Sequence, residues 1–133
     1  MPELNTYDYA IVRVVPRVER GEFINAGVIL SCAAKGHLQA RVELDEARLL
    51  ALDPGADVEG IRAALATLPV ICTGGDAAGA LGKMSVRERF HWLVAPRSTS
   101  IQTSPVHTGR CTDLAQTMEH LVQRLLRTHP PRA

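Results

Sequence analysis

Two apolar runs near the start of the chain, YDYAIVRVV (Tyr7 to Val15) and FINAGVILSC (Phe23 to Cys32), constrain the fold more than any other feature. β-Branched and aromatic residues suit a pleated surface, and each run has the length of one strand. The segment between them, Pro16 to Glu22, is charged and contains Gly21, so it reads as a solvated connection in an antiparallel hairpin. Apolar side chains fall on both faces in the middle of the first run, which predicts a central strand covered on both sides. In the second run, Gly27 beside Asn25 interrupts an apolar strand and predicts a bulge or a close backbone approach.

A third strand follows. Ala34-Lys35-Gly36 is a short turn whose glycine can take positive φ, and His37 to Leu44 then alternates. Leu38, Ala40, Val42 and Leu44 face one way, while Gln39, Arg41 and Glu43 face the other, the pattern of a strand wet on one side. Helices come next. Asp45 can cap one through Leu52, stopped by Asp53-Pro54-Gly55, and Asp57 can cap another with Val58, Ile61, Leu65 and Leu68 at helical spacing, ended by Pro69. Thr73 to Lys83 is rich in glycine and alanine and reads as a mobile loop. Ser85 and Glu88 form a capping-box pattern for a helix that Pro96 ends, with Val86, Phe90, Leu93 and Val94 on one face.

Ser100 to His107 is a candidate fourth strand, confined to an edge or a strand end by Pro105. Asp113 then caps a helix whose stripe is Leu114, Met118, Leu121, Val122 and Leu125, with Pro130-Pro131 as its stop. The expected fold is therefore α+β: a three-stranded antiparallel meander, with a possible fourth strand, packed by three to four helices in a single domain over residues 1–133.

Composition narrows the function classes. Apolar residues make up 46% of 133 residues, enough for a buried core and too many for a disordered chain. No apolar run reaches the roughly 18 residues of a membrane span, so no membrane partner is expected. The start MPELNTYDYA has neither a basic nor an apolar leader region, so no signal peptide is expected. Cys32, Cys72 and Cys111 are odd in number and far apart, which fits reduced thiols in cytoplasm, each read first as a small buried hydrophobe. Charge is uneven: residues 1–82 hold seven Lys/Arg against eleven Asp/Glu, whereas residues 83–133 hold eight against three. That split fits either an anion-facing second half or two halves packed with complementary charge.

Several residue groups invite chemical readings. Gly82-Lys83 ends a glycine-rich stretch before a helix, but a phosphate-binding loop needs glycine where Ala77 stands and a hydroxyl where Met84 stands. His107 and Cys111, near Asp113, hint at a metal or nucleophile, with Arg110 beside the thiol; nothing completes tetrahedral zinc ligation. No metal, cofactor or catalytic residue is therefore assigned. The polar run from Arg97 to Asp113 is more informative, because arginines pair bidentately with phosphate or carboxylate and hydroxyls can complete such a site. It follows a basic helix with Arg87, Arg89 and the aromatic cluster Phe90-His91-Trp92, where a core role would simply bury Trp92. The candidate ligand-binding residues are Asn25, Arg97, Ser98, Gln102, His107 and Arg110.

Three stretches together resemble a known family: YDYAIVRVVPRVERGEFINAGVIL, RFHWLVAPRSTSIQTSPVHTG, and the terminal helix. They are similar to the bacterial domain of unknown function 3037, from about Tyr7 to Leu126. Asn25-Ala26-Gly27 and Pro96-Arg97-Ser98 carry the resemblance most specifically; where the family favours Asp-Pro, this chain has Asp113-Leu114. The resemblance implies a small bacterial cytoplasmic protein with no assigned activity. It also implies a genomic companion, a kinase similar to the HipA toxin, and hence a possible protein partner.

Three functions follow in order. The first is a non-enzymatic interaction or accessory module using a sheet edge or the basic face. The second is binding of nucleic acid or another phosphate-bearing ligand through Arg87, Arg89, Arg97 and Arg110; nucleic acid itself is not favoured, because aromatic content of 4% leaves few stacking platforms. The third is a hydrolase or transferase centred on Ser98, His107 and Asp113. If a site exists, the Asn25 break is expected beside the Arg97 segment; if they lie apart, the hairpin is scaffold.

Overall fold

The computed structural model describes residues 3–127. Five antiparallel strands form one sheet: β1 (Asn5–Val14), β2 (Ile24–Cys32), β3 (His37–Val42), β4 (Ile101–Thr103) and β5 (His107–Cys111). Its order is β3-β2-β1-β4, with β5 also paired to β1. The meander is thus present, and β1 is flanked by β2 from Asp8 to Val14, with β4 and β5 on its other edge.

The fourth strand expected within Ser100 to His107 is present as the short β4, and an unexpected fifth strand, β5, continues it end to end on the free edge of β1. Val12 to Val14 pair with β4 and Asn5 to Tyr9 with β5. Pro105, which lacks an N–H, sits in the gap between them. Ser104 bridges that gap: its N–H donates to the Ile11 carbonyl at 2.8 Å, and its Oγ accepts from the Ile11 N–H at 2.9 Å.

The break in β2 is both a bulge and a close approach. Register shifts between Val12, opposite Gly27, and Arg13, opposite Asn25, leaving Ala26 as the extra residue. A Cβ on Gly27 would stand 3.0 Å from both the Arg41 carbonyl and Val12 Cβ, so only glycine fits without displacement.

Helices α1 (Glu46–Leu52), α2 (Val58–Thr73) and α3 (Val86–Leu93) cover one face. Asp45 and Asp57 cap the first two, accepting from Arg48 and Gly60 N–H. Both bonds of the Ser85–Glu88 capping box are formed at α3. Leu49, Leu65, Leu68, Phe90 and Leu93 meet Val12, Val14 and Ile29 beneath them. Helix α4 (Leu114–Leu125), capped by Asp113, covers the other face alone, with Met118, Leu121 and Val122 on Val28 and Leu30. The helix stop expected at Pro130-Pro131 lies outside the described residues.

Three expectations change. Pro69 does not end α2, which runs on to Thr73. Proline removes one backbone donor, yet Ile71 and Cys72 beyond it are buried in the core, and Arg89 closes the helix end. Its Nη1 donates to the Ile71 and Cys72 carbonyls at 3.2 and 3.4 Å, a cation at the negative end of the helix. The glycine-rich stretch is not a loop but a kinked 3-10 segment, Asp76–Lys83, whose Leu81 packs on the core. The polar face of β3 is also less wet than its alternation implies, because α4 answers it with charge. Arg41 bonds Glu119 at 2.9 Å and Arg127 bonds Glu43 at 2.7 Å. No single described helix is long and apolar enough to cross a membrane.

Candidate functional site

The polar run from Arg97 to Asp113 does not fold into a pocket. It lies extended along β1: Ser100 accepts from Val15, His107 pairs with Tyr9 and Cys111 with Asn5. Ten strand steps separate the two ends, roughly 30 Å at 3.3 Å per residue. Ser98 before β4 and Asp113 after β5 therefore stand at opposite ends of the sheet and assemble no triad with His107. Strand geometry separates His107 and Cys111 for the same reason, by roughly 13 Å, where a helix would have stacked them. Among the described residues no group of three or more His, Cys, Asp or Glu is placed to hold a metal ion.

The six residues singled out from the sequence divide between the two faces. Asn25 lies on the α4 side, and its Nδ2 donates to the Leu125 carbonyl at 3.1 Å. Arg97 lies on the α3 side, donating to the Leu93 and Trp92 carbonyls at 3.2 and 2.6 Å. Its guanidinium stacks 4.3 Å from the Trp92 ring centroid, and Trp92 is 40% exposed rather than buried. The Asn25 break and the Arg97 segment are thus on opposite sides of the sheet, each engaged with a helix end. Ser98 is exposed in the connection to β4. Gln102 sits opposite Arg13 and donates to the Thr99 carbonyl at 2.9 Å. His107 packs on Tyr9, with ring centroids 5.3 Å apart. Arg110 borders a groove on the α4 side.

Two of the four arginines expected on an anion-binding face are instead helix caps. Arg89 is only 7% exposed, and Arg97 closes α3. Burial also settles Cys72, whose thiol is pushed up to about 12, with nearby Arg89 pulling the other way and losing. A thiol that stays protonated there is core, not a nucleophile. Cys32 is likewise buried, and Cys111 is partly covered.

Two surface grooves bear on function. One is a groove of about 410 Å³ between α2 and the 3-10 segment, lined by Ala63, Ala66, Val70, Ala77, Ala78 and Leu81. No charged residue occurs from Ala63 to Gly75. The inward residues Leu65, Leu68, Ile71 and Cys72 are buried, whereas Ala63, Ala66, Thr67 and Val70 lie exposed on the outer surface. This uncharged outer face is what the helical spacing leaves once the inner stripe is satisfied.

The other feature is a groove of about 420 Å³ between α4 and the β1–β5 edge, bordered by Tyr7, Tyr9, Arg110, Gln116, His120 and Arg124. Gln116, His120 and Arg124 repeat at four-residue intervals and share one flank of α4. Both tyrosines of the chain are here, with centroids 6.2 Å apart. Gly109 makes room for Tyr7: a Cβ there would lie 2.6 Å from the ring. Burial, ahead of the nearby Cys111 and Tyr9, raises the Tyr7 pKa, so its hydroxyl stays protonated at neutral pH. Among the described residues neither Arg110 nor Arg124 has a carboxylate within ion-pair distance, whereas on the β3 side Arg41 of that strand and Arg127, just after α4, are paired. Of this groove the sequence reading named Arg110 and, through its contact with Tyr9, His107. It passed over Tyr7, Tyr9, His120 and Arg124, although the 116-120-124 spacing was readable as one polar flank.

A family model described as protein of unknown function (DUF3037) matches residues 9–126. No curated protein and no solved structure gives a match.

Proposed function

We propose that this chain, which belongs to the DUF3037 family of proteins of unknown function, is a non-enzymatic accessory module that docks on a protein partner. The observation that carries this reading is the uncharged outer face of α2, exposed from Ala63 to Val70 and continued by the groove against the 3-10 segment. A helix face bearing alanine, threonine and valine gains little from water and gains on burial by a second surface. The sheet edges are poorer docking places. β4 has three residues with Pro105 close behind it, and β3 carries Arg41 with Glu43 just past its end.

The partner placed first is a kinase similar to the HipA toxin, the companion that the family resemblance implies, in a bacterial cytoplasm. Size-exclusion chromatography and calorimetry with that kinase, purified from the same genome, provide the test. The wild-type chain co-elutes with it, and Val70→Asp abolishes the complex while unfolding like wild type. A Val70→Asp chain that still binds with unchanged affinity overturns the α2 surface; absence of any complex at tens of micromolar removes the kinase.

A further inference from the structure

We propose that the groove between α4 and the β1–β5 edge is a binding site for a mononucleotide, a phosphate ester carrying an aromatic base. This site is independent of the α2 face and lies on the other side of the sheet.

Charge is the first ground. α4 has two flanks, and only one is neutralised. Glu119 and Arg127 face Arg41 and Glu43 on the β3 side. On the β5 side, His120 and Arg124 stand one turn apart and Arg110 borders the same groove, with no carboxylate paired to either arginine among the described residues. Guanidinium groups meet phosphate through two parallel N–H bonds, and phosphate offers more acceptor oxygens than a carboxylate to a site with several donors. Gln116, Thr117 and the Tyr7 and Tyr9 hydroxyls add neutral donors around the same space.

Aromatic surface is the second ground. Tyr7, Tyr9 and His107 form a row on neighbouring strands, 6.2 and 5.3 Å between successive centroids. A chain with only two Tyr, two Phe and one Trp places both tyrosines beside its unpaired basic residues. Aromatic faces next to arginine are the combination that holds a base and its phosphate together. Volume is the third ground. A space of about 420 Å³ falls in the range of small-molecule sites and far exceeds what inorganic phosphate fills. His120 and Arg124 stand one turn apart on a single helix rather than strung along a track, which favours one nucleotide over a strand.

Calorimetric and NMR titrations of the full chain at low salt test this with AMP, GMP, adenosine, inorganic phosphate and a ten-residue oligothymidylate. The mononucleotides shift the Tyr7, Tyr9 and His120 resonances and bind at least about tenfold more tightly than adenosine or phosphate alone. Arg124→Ala weakens AMP by about tenfold or more, whereas Arg97→Ala, on the opposite face, leaves it unchanged. Arg124→Gln and Tyr9→Phe, checked for native circular dichroism, guard against a variant that merely misfolds. Flat titrations with both mononucleotides overturn the proposal. So does phosphate binding as tightly as AMP, which removes the aromatic contribution, or the oligonucleotide outcompeting AMP by more than tenfold, which makes the groove a single-strand site.

Discussion

On one face of the sheet, Leu49, Leu65, Phe90 and Leu93 descend from three helices to meet Val12, Val14 and Ile29. On the other face α4 works alone, setting Met118, Leu121 and Val122 on Val28 and Leu30. The first face is packed by all three helices and takes in even a charged group, because Arg89 finds carbonyls near the end of α2. A single helix about 10 Å wide cannot span a sheet four strands across, so the second face has borders. On the β3 border the two surfaces exchange ion pairs; on the β5 border they leave a basic groove. Apolar packing by three helices and a basic groove beside a single helix are thus allotted to different sides of one sheet.

The sharpest way to break this comparison is to truncate one leucine on each side. Leu49→Ala, on the three-helix face, is expected to cost about 3 kcal/mol, and Leu125→Ala, half-covered at the α4 border, about 1 kcal/mol, both read from urea unfolding. Equal losses would show that the two faces are equally closed. Arg89→Met comes next, at about 2 kcal/mol, because it leaves two buried carbonyls at the end of α2 without their donor. Amide exchange should speed up from Val70 to Thr73 in that variant and stay slow in α4.

Smaller again is Ser104→Ala, about 1 kcal/mol, since the Ile11 N–H loses its acceptor in the gap between β4 and β5. The smallest effect comes from acid. Arg127 holds the Glu43 carboxyl below its ordinary value of 4.5, and Arg41 does the same for Glu119. A carboxyl depressed in the folded state contributes stability that is complete above the ordinary value and lost as pH falls through the depressed one. Lowering pH below 4.5 should therefore loosen the β3 border, seen as movement of the Met118 methyl resonance before global unfolding. A Met118 signal that stays fixed until the whole chain unfolds would show that apolar packing alone seats α4.

Local chemistry was readable and long-range placement was not. Asp45, Asp57, Ser85 and Asp113 were legible as caps because a cap is decided within three residues. The α4 stripe and the Gly27 irregularity followed from periodicity and its interruption. The continuation of α2 past Pro69 is not legible in the sequence, because the local cost of proline is visible there and the burial of Ile71 and Cys72 that outweighs it is not. The six candidate residues were grouped by nearness in sequence and polarity. Register along β1 then drew Ser98 to Arg110 out along one edge, and the bulge turned Asn25 toward Leu125. What gathers instead is Tyr7 and Tyr9 with Arg110 and Arg124, an association made only when the two ends of the chain meet.

That meeting sets the order in which the molecule can assemble during synthesis. β1 finds β2 soon after it is made, but its other edge waits for partners such as Ser104 and Thr108, 93 and 100 residues downstream. Until they emerge, the central strand is a bare edge and half of its backbone donors face water. A ribosome-stalled chain ending at Pro96 should remain protease-sensitive within Asn5 to Val14, and one released beyond Leu125 should not. The hairpin that opens the chain is therefore among its first structures to form and among its last to be completed.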